Sequence, residues 1–272
     1  MSKAKITFIG AGNMAASIIG GLVKKGYPAD HITASDLLQD NLDRLQGEFG
    51  IIPQADNALA VKDADVVVLA VKPQVMKPVA EGLKAHLKAD SLIISIAAGI
   101  TIDSISQWIG DLAIVRCMPN TPALVQTGAS GLYANAATSE AQKQSADEIL
   151  SAVGIVEWLE SEALLDPVTA VSGSGPAYYF LMMEAMIDAG VAQGLSRATA
   201  TQLTLQTALG AAQLAQNSDV DVAELRRRVT SPKGTTEQAI LSFERDGLRD
   251  TVSRAMQACT DRSIELAKEL GE

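Results

Sequence analysis

The sequence predicts an α/β fold: an N-terminal Rossmann-type doubly wound sheet followed by an all-helical C-terminal dimerisation domain. Three observations carry that expectation. Short β-rich runs alternate with helix-length segments through about residue 160. A glycine-rich turn joins the first run to the first helical pattern. Beyond Ser161 strand patterns vanish and helical ones take over. The expected boundary lies there, dividing the chain into domains 1–161 and 162–272.

Strands are expected at residues 5–9, 32–34, 66–71, 92–96, 113–118, 131–134 and 155–159. Several are apolar without alternation, as parallel strands are when helices cover both faces. Ser139-x-x-Gln142 reads as a capping box opening one of the intervening helices. Pro167 and Pro176 sit where a first helical turn tolerates proline. Residues 178–192 are apolar almost all round, with Glu184 and Asp188 as their only charges. A helix of that kind is buried on nearly every side. A small helical domain cannot cover it alone, so a second copy of the chain is expected to supply part of the cover. Ser196 is placed to cap a helix reaching about Gln216, and Asp221-x-x-Glu224 to begin a short one. Two more helices are expected at 235–243 and 248–270.

The chain has 272 residues, 47% hydrophobic and 20% charged, enough to bury a core without a disulfide or metal staple. Its 22 basic and 32 acidic residues give a net charge of −10, which argues against binding a nucleic-acid backbone. Two cysteines and two histidines are too few for a disulfide scaffold or a zinc cage, so no metal site is expected. A reducing, cytoplasmic setting follows by default. No apolar stretch reaches the roughly 20 residues of a membrane-spanning helix, and the N-terminus runs into a strand without a signal-like segment. His31 and His86 read as surface residues, and Cys117 and Cys259 as small buried hydrophobes. Met182, Met183 and Met186 read as core, and Arg226-Arg227-Arg228 as a solvated or interface face.

The chemistry begins at Gly10-Ala11-Gly12-Asn13-Met14-Ala15, a G-x-G-x-x-A dinucleotide fingerprint. Gly10 permits the tight turn, and Gly12 lets backbone approach a pyrophosphate. Ala15 allows close packing of helix on strand, and the helix N-terminus faces the phosphates. Asp36, 24 residues after Gly12, is placed to hold an adenine ribose 2′-hydroxyl; Asp36-x-x-Gln39 equally resembles a capping box. No arginine follows closely to hold a 2′-phosphate, although Ser35 and Asn57 can donate hydrogen bonds to one. Three later strands lead into Lys72-Pro73, Ala97-Ala98-Gly99 and Pro119-Asn120-Thr121-Pro122. Loops of small residues and X-Pro pairs at the C-terminal strand ends suit a flat nicotinamide ring lying close to backbone. Further on, residues 230–236 begin a helix with hydroxyl side chains and glycine. They read either as an anion nest of backbone N–H groups or as plain N-capping.

Taken together, the chain resembles pyrroline-5-carboxylate reductase over essentially its full length. The resemblance rests on Ile9-Gly10-Ala11-Gly12-Asn13-Met14, Val71-Lys72-Pro73, Met118-Pro119-Asn120-Thr121-Pro122, Val171-Ser172-Gly173-Ser174-Gly175-Pro176-Ala177-Tyr178 and Ser231-Pro232-Lys233-Gly234-Thr235-Thr236. Lys233 departs from it, since many members carry a second glycine there. The resemblance implies reduction of (S)-1-pyrroline-5-carboxylate to L-proline with NADPH or NADH, the final step of proline synthesis. It implies a helical C-terminal domain interlocked with a partner as a homodimer, five such dimers forming a decamer in many members. It places Ser231, Gly234, Thr235 and Thr236 at the substrate, with the Thr236 hydroxyl at the imine nitrogen. It places Asn57, Lys72, Pro73, Ala98 and Asn120 along the cofactor, beside Gly10, Gly12, Asn13, Met14, Ser35, Asp36, Ala70 and Val71.

The chemistry of these residues fits a cyclic imine. Hydride addition is easiest when the ring nitrogen arrives protonated, so no dedicated catalytic histidine or lysine is needed. A 3-hydroxyacid dehydrogenase would require a helix-borne general base, and neither Lys233 nor Lys268 is placed for that role. A dinucleotide-sensing scaffold would leave residues 231–236 without a ligand.

Overall fold

The computed structural model describes residues 3–271. By internal contacts the chain forms two compact units: Met1–Ser174 together with Ala258–Glu272, and Gly175–Gln257.

The first unit is built on an eight-stranded sheet of order β3-β2-β1-β4-β5-β6-β7-β8. Its strands are β1 (Ile6–Ile9), β2 (Ile32–Ser35), β3 (Ile52–Pro53), β4 (Val66–Leu69), β5 (Leu92–Ser95), β6 (Ala113–Met118), β7 (Gly128–Ala134) and β8 (Gly154–Trp158). The order 3-2-1-4-5-6 is that of a dinucleotide-binding sheet, with a crevice where the order reverses between β1 and β4. The helices between strands are α1 (Asn13–Lys24), α2 (Gln39–Phe49), α3 (Asn57–Val61), α4 (Met76–Leu83), α5 (Ile102–Ile109) and α6 (Glu140–Leu150). The continuous apolar strands have a direct explanation. Phe8, Val68, Ile94 and Val115 face one buried cluster, packed with Ile18, Leu22 and Leu150. Their neighbours Ile9, Val67, Leu69, Ile93 and Ile114 face a second, packed with Met76, Ile105 and Trp108. Side chains alternate across the sheet, and both faces are covered.

Two expectations about the sheet need correction. Strand β3 pairs with β2 through Ile52 and Pro53, where no strand was expected. And β7 runs antiparallel to β6, with β8 parallel to β7, so the last two strands reverse the parallel direction. Nine residues separate β6 from β7, fewer than the dozen or more a parallel crossover requires. The Ser139–Gln142 capping box is present at α6. After β8 come α7 (Leu165–Val168) and a π-helical turn (Thr169–Gly173).

The second unit contains α8 (Gly175–Ala192), α9 (Arg197–Gln216), α10 (Val222–Arg228), α11 (Thr235–Arg245) and the first ten residues of α12 (Leu248–Gly271). Ser196 accepts a hydrogen bond from Thr199 N, and Asp221 from Glu224 N, so both caps form as spaced. Within residues 175–257 only Gly175, Ala200 and Thr204 are buried. Tyr179 is 69% exposed and Phe180 64%; in a single chain the apolar helix α8 is uncovered, and Met182 and Met186 are exposed rather than core. Arg226, Arg227 and Arg228 form ion pairs with Glu244 and Glu224 on an exposed face.

Candidate functional site

At the C-terminal ends of β1, β2 and β4 the backbone draws the fingerprint together. Gly10 N donates to Ser35 O at 2.7 Å, and Ala70 N to Ile9 O at 2.8 Å. Gly10 adopts φ +99°, and a Cβ there would lie 2.7 Å from Ala70 O, so only glycine fits this turn. Gly12 differs. It is the N-cap of α1 at φ −71°, and a Cβ would meet nothing within 4 Å. No side chain caps α1, so the N–H groups beyond Gly12 at Asn13 and Met14 face open space with the positive end of the helix behind them. That space fits the pyrophosphate of a dinucleotide.

Around this turn Ser35 Oγ donates to Asn57 Oδ1 at 2.7 Å. Asp36 accepts from Ala11 N at 2.8 Å through one oxygen and from Leu38 N at 2.9 Å through the other. The N-cap of α2 is Leu38, so the Asp36–Gln39 capping box does not form; the carboxylate braces the glycine turn instead. Each carboxylate oxygen retains a lone pair for a ribose hydroxyl. The linear reading also missed Arg44. One turn into α2, its Nη2 returns to within 3.4 Å of Ala11 O, which brings a cation to the fingerprint. Beside Asp36, Leu37 is 94% exposed. The helical spacing of Arg44 from the start of α2 was the available signal.

The other loops lie at the same ends of the sheet. Val71, Lys72 and Pro73 follow β4, where Lys72 precedes a short 3-10 turn (Pro73–Val75). Ala98 is exposed after β5. Asn120, after β6, is buried and braced: its Nδ2 donates to Ser172 O at 3.1 Å and its Oδ1 accepts from Ala129 N at 2.9 Å. It ties the Met118–Pro122 stretch to the π-helical turn.

In the second unit Ser231, Pro232, Lys233 and Gly234 form a turn closed by Gly234 N donating to Ser231 O at 3.0 Å. Lys233 occupies the left-handed region at φ +62°. Its N–H donates to Glu237 at 2.7 Å, which leaves the side chain exposed. Gly234 is the N-cap of α11 and no side chain caps the helix. The plain-capping alternative for the hydroxyls is therefore set aside. Ser231, Thr235 and Thr236 are exposed, and their hydroxyls have no hydrogen-bond partner among the described residues. Three exposed hydroxyls and a helix start that no side chain caps lie within six residues, groups suited to a carboxylate and a polar nitrogen.

A concavity of about 1010 Å³ lies elsewhere, against β7 and β8. Of its lining, Asn135 is committed to the backbone of Ile114 and Leu112, and Lys143 to Glu140. Among the described residues no three His, Cys, Asp or Glu side chains gather as a metal site, and no helix is long and apolar enough to cross a membrane.

Comparisons with known proteins agree with this geometry. A family model described as pyrroline-5-carboxylate reductase dimerisation matches residues 162–266, and one described as NADP oxidoreductase coenzyme F420-dependent matches residues 5–99. The pyrroline-5-carboxylate reductase of Pseudomonas aeruginosa is 59% identical over the whole of both chains. A solved pyrroline-5-carboxylate reductase from Coxiella burnetii superposes with a TM-score of 0.94 at 45% identity, covering 97% of this chain and 99% of that one. The NADP-bound pyrroline carboxylate reductase of Plasmodium falciparum superposes with a TM-score of 0.86 at 30% identity, covering 98% and 99%. Sheet order, uncapped α1, the residue 231–236 turn and full-length identity converge: the chain belongs to the pyrroline-5-carboxylate reductase family.

Proposed function

We propose that the chain reduces (S)-1-pyrroline-5-carboxylate to L-proline with NADPH or NADH, the final step of proline biosynthesis. The observation that carries this is the pairing, in one chain, of an uncapped fingerprint helix with an uncapped, hydroxyl-lined helix start. The reduced nicotinamide supplies a hydride, and the oxidised dinucleotide leaves. Residues 1–161 bind it; residues 162–272 bind the substrate and dimerise.

The chain's own groups bind and orient. Gly10, Gly12, Asn13 and Met14 present backbone to the pyrophosphate. Asp36 meets a 2′-hydroxyl, whereas Asn57, held in place by the buried Ser35 hydroxyl, and Arg44 are the groups a 2′-phosphate would meet. Leu37 offers an apolar face to adenine. Ala70, Val71, Lys72, Pro73, Ala98 and Asn120 bound the nicotinamide end. Ser231, Gly234 and Thr235 receive the substrate carboxylate through N–H and hydroxyl groups.

Thr236 is the residue at the reacting bond. Its oxygen accepts from the protonated ring nitrogen in the bound imine. Once hydride reaches the imine carbon, which becomes C5 of proline, and the C=N π pair moves onto nitrogen, the same hydroxyl donates to the new amine lone pair. The cation is discharged without a side-chain base, so catalysis is chiefly positioning.

Exposed apolar α8 and the dimerisation-family match support a homodimer through the C-terminal domain. The resemblance adds a decamer of five dimers. Two free thiols suit a reducing, cytoplasmic location. The test is an assay of pyrroline-5-carboxylate reduction with NADPH and NADH in parallel, with proline identified as product. Absence of proline with both donors overturns the proposal.

A further inference from the structure

The C-terminal half of α12 carries a stripe of residues at helical spacing: Cys259, Ser263, Leu266, Ala267 and Leu270. All belong to the sheet-bearing unit, and each touches it. Cys259 Sγ donates to Ser174 Oγ at 3.3 Å, and Ser263 Oγ to Asp166 Oδ1 at 2.7 Å. The last three residues crowd Gly99. From the position of a Cβ on Gly99, Leu270 Cδ1 is 3.4 Å away, Leu266 Cβ 3.5 Å and Ala267 N 3.6 Å. Gly99 is buried at φ +72°, in the left-handed region that favours glycine, and α12 packs directly against it. Leu270 also packs on the cluster containing Ala97, Ile105 and Trp108. The flank of the stripe is polar, where Arg262 pairs with Glu265 and Glu269.

We infer that Leu266 and Leu270 are positioning residues for hydride transfer, holding the residue 97–99 loop so that Ala98 presents a fixed surface to the nicotinamide. The inference rests on the proposed reading of that loop as cofactor surface. Close-packed contacts transmit displacement, because a vacated volume lets the neighbouring backbone settle into it. A displacement of about 1 Å between reacting groups can cost up to about a hundredfold in rate.

The experiment uses the full-length enzyme and four variants. Leu270→Ala is expected to lower kcat by about tenfold and to raise KM for the dinucleotide more than KM for the imine. Leu270→Met, which refills the volume, is expected to restore both. Arg262→Ala, on the exposed polar flank, is expected to lower Tm with unchanged kinetics, which separates positioning from helix stability. Ala98→Leu tests the loop itself and is expected to raise dinucleotide KM. If Ala98→Leu raises it while Leu270→Ala keeps parental kcat and KM, the positioning role is overturned and the loop reading stands. If Ala98→Leu leaves dinucleotide KM unchanged, the loop reading fails and the inference with it. Should Leu270→Ala precipitate, Leu270→Val makes the same comparison with a smaller void, and parental kinetics in that variant overturn the role.

Discussion

Gly12→Val and Gly10→Ala alter the same turn and are expected to fail in different ways. At Gly12 an added Cβ meets nothing within 4 Å and φ is −71°, so valine fits the backbone. Its cost to folding is the weaker N-cap, about 1 kcal/mol, or about 2–4 °C in Tm for a chain of this size. Its branched carbons, however, fill the space through which a pyrophosphate reaches the N–H groups of α1. A hydrogen bond to a charged group is worth about 1.5–3 kcal/mol. Losing two weakens dinucleotide binding by about 3–6 kcal/mol, or about 10²–10⁴-fold. At Gly10 the Cβ would overlap Ala70 O at 2.7 Å and φ is +99°. The left-handed backbone alone costs an L-residue about 1–2 kcal/mol, and relieving the overlap adds to it. Gly10→Ala should therefore lose at least about 2–8 °C in Tm. Calorimetric titration with NADPH and NADH, paired with thermal unfolding, reads both quantities. A folded Gly12→Val that binds dinucleotide as tightly as the parent would refute the pyrophosphate assignment.

The remaining predictions concern other parts of the chain. Thr236→Val should lower kcat/KM between a few-fold and about a hundredfold with little change in Tm, because Gly234 and not Thr236 is the helix cap; normal kinetics would remove Thr236 from the reacting bond. Asn120→Ala leaves the Ser172 carbonyl and the Ala129 N–H without their partner, and should cost about 2–5 kcal/mol in denaturant unfolding; an unchanged midpoint would count against the brace. Light scattering at micromolar concentration should find a dimer or larger, and a stable active monomer would contradict the role given to α8. Burial pushes the Cys117 thiol up to about 12, against a weaker opposing hydrogen bond from Ser130, so its thiolate is scarce at neutral pH. Alkylation should reach Cys117 only on unfolding, and rapid labelling of the folded protein would show the site to be open.

Much of the fold was legible because strand and helix periods differ. The apolar runs ending at Ile9, Leu69 and Ser95 betray burial on both faces, and Ser139, Ser196 and Asp221 announce their helices by capping spacing. Strand β3 was hidden because it has two residues and one is proline, a residue strands tolerate at edges. The reversal at β7 was hidden by its first residues, Gly128-Ala129-Ser130, which carry no β signal; starting the strand at residue 131 made the connection look long enough for a crossover. In the site, the glycine turn and the residue 231–236 loop could be read, since backbone geometry restricts residue type there. The roles of side chains that bridge distant segments could not. Asp36 reaching Ala11, Arg44 returning to the same residue and Asn120 joining Ala129 to Ser172 depend on packing across the sheet. Nor could spacing show that Lys233 would hold a left-handed conformation, because Glu237 holds its N–H from within the helix.

Isotope transfer reads hydride delivery to the imine carbon of pyrroline-5-carboxylate at the bond that forms. NADPH and NADH deuterated at the transferable position of nicotinamide C4 would be incubated with the enzyme and the imine, and the product examined by mass spectrometry and NMR. L-proline with one deuterium bound at C5 is the expected product, with loss of that transfer in Gly12→Val. Unlabelled proline, or no proline with either donor, would contradict it.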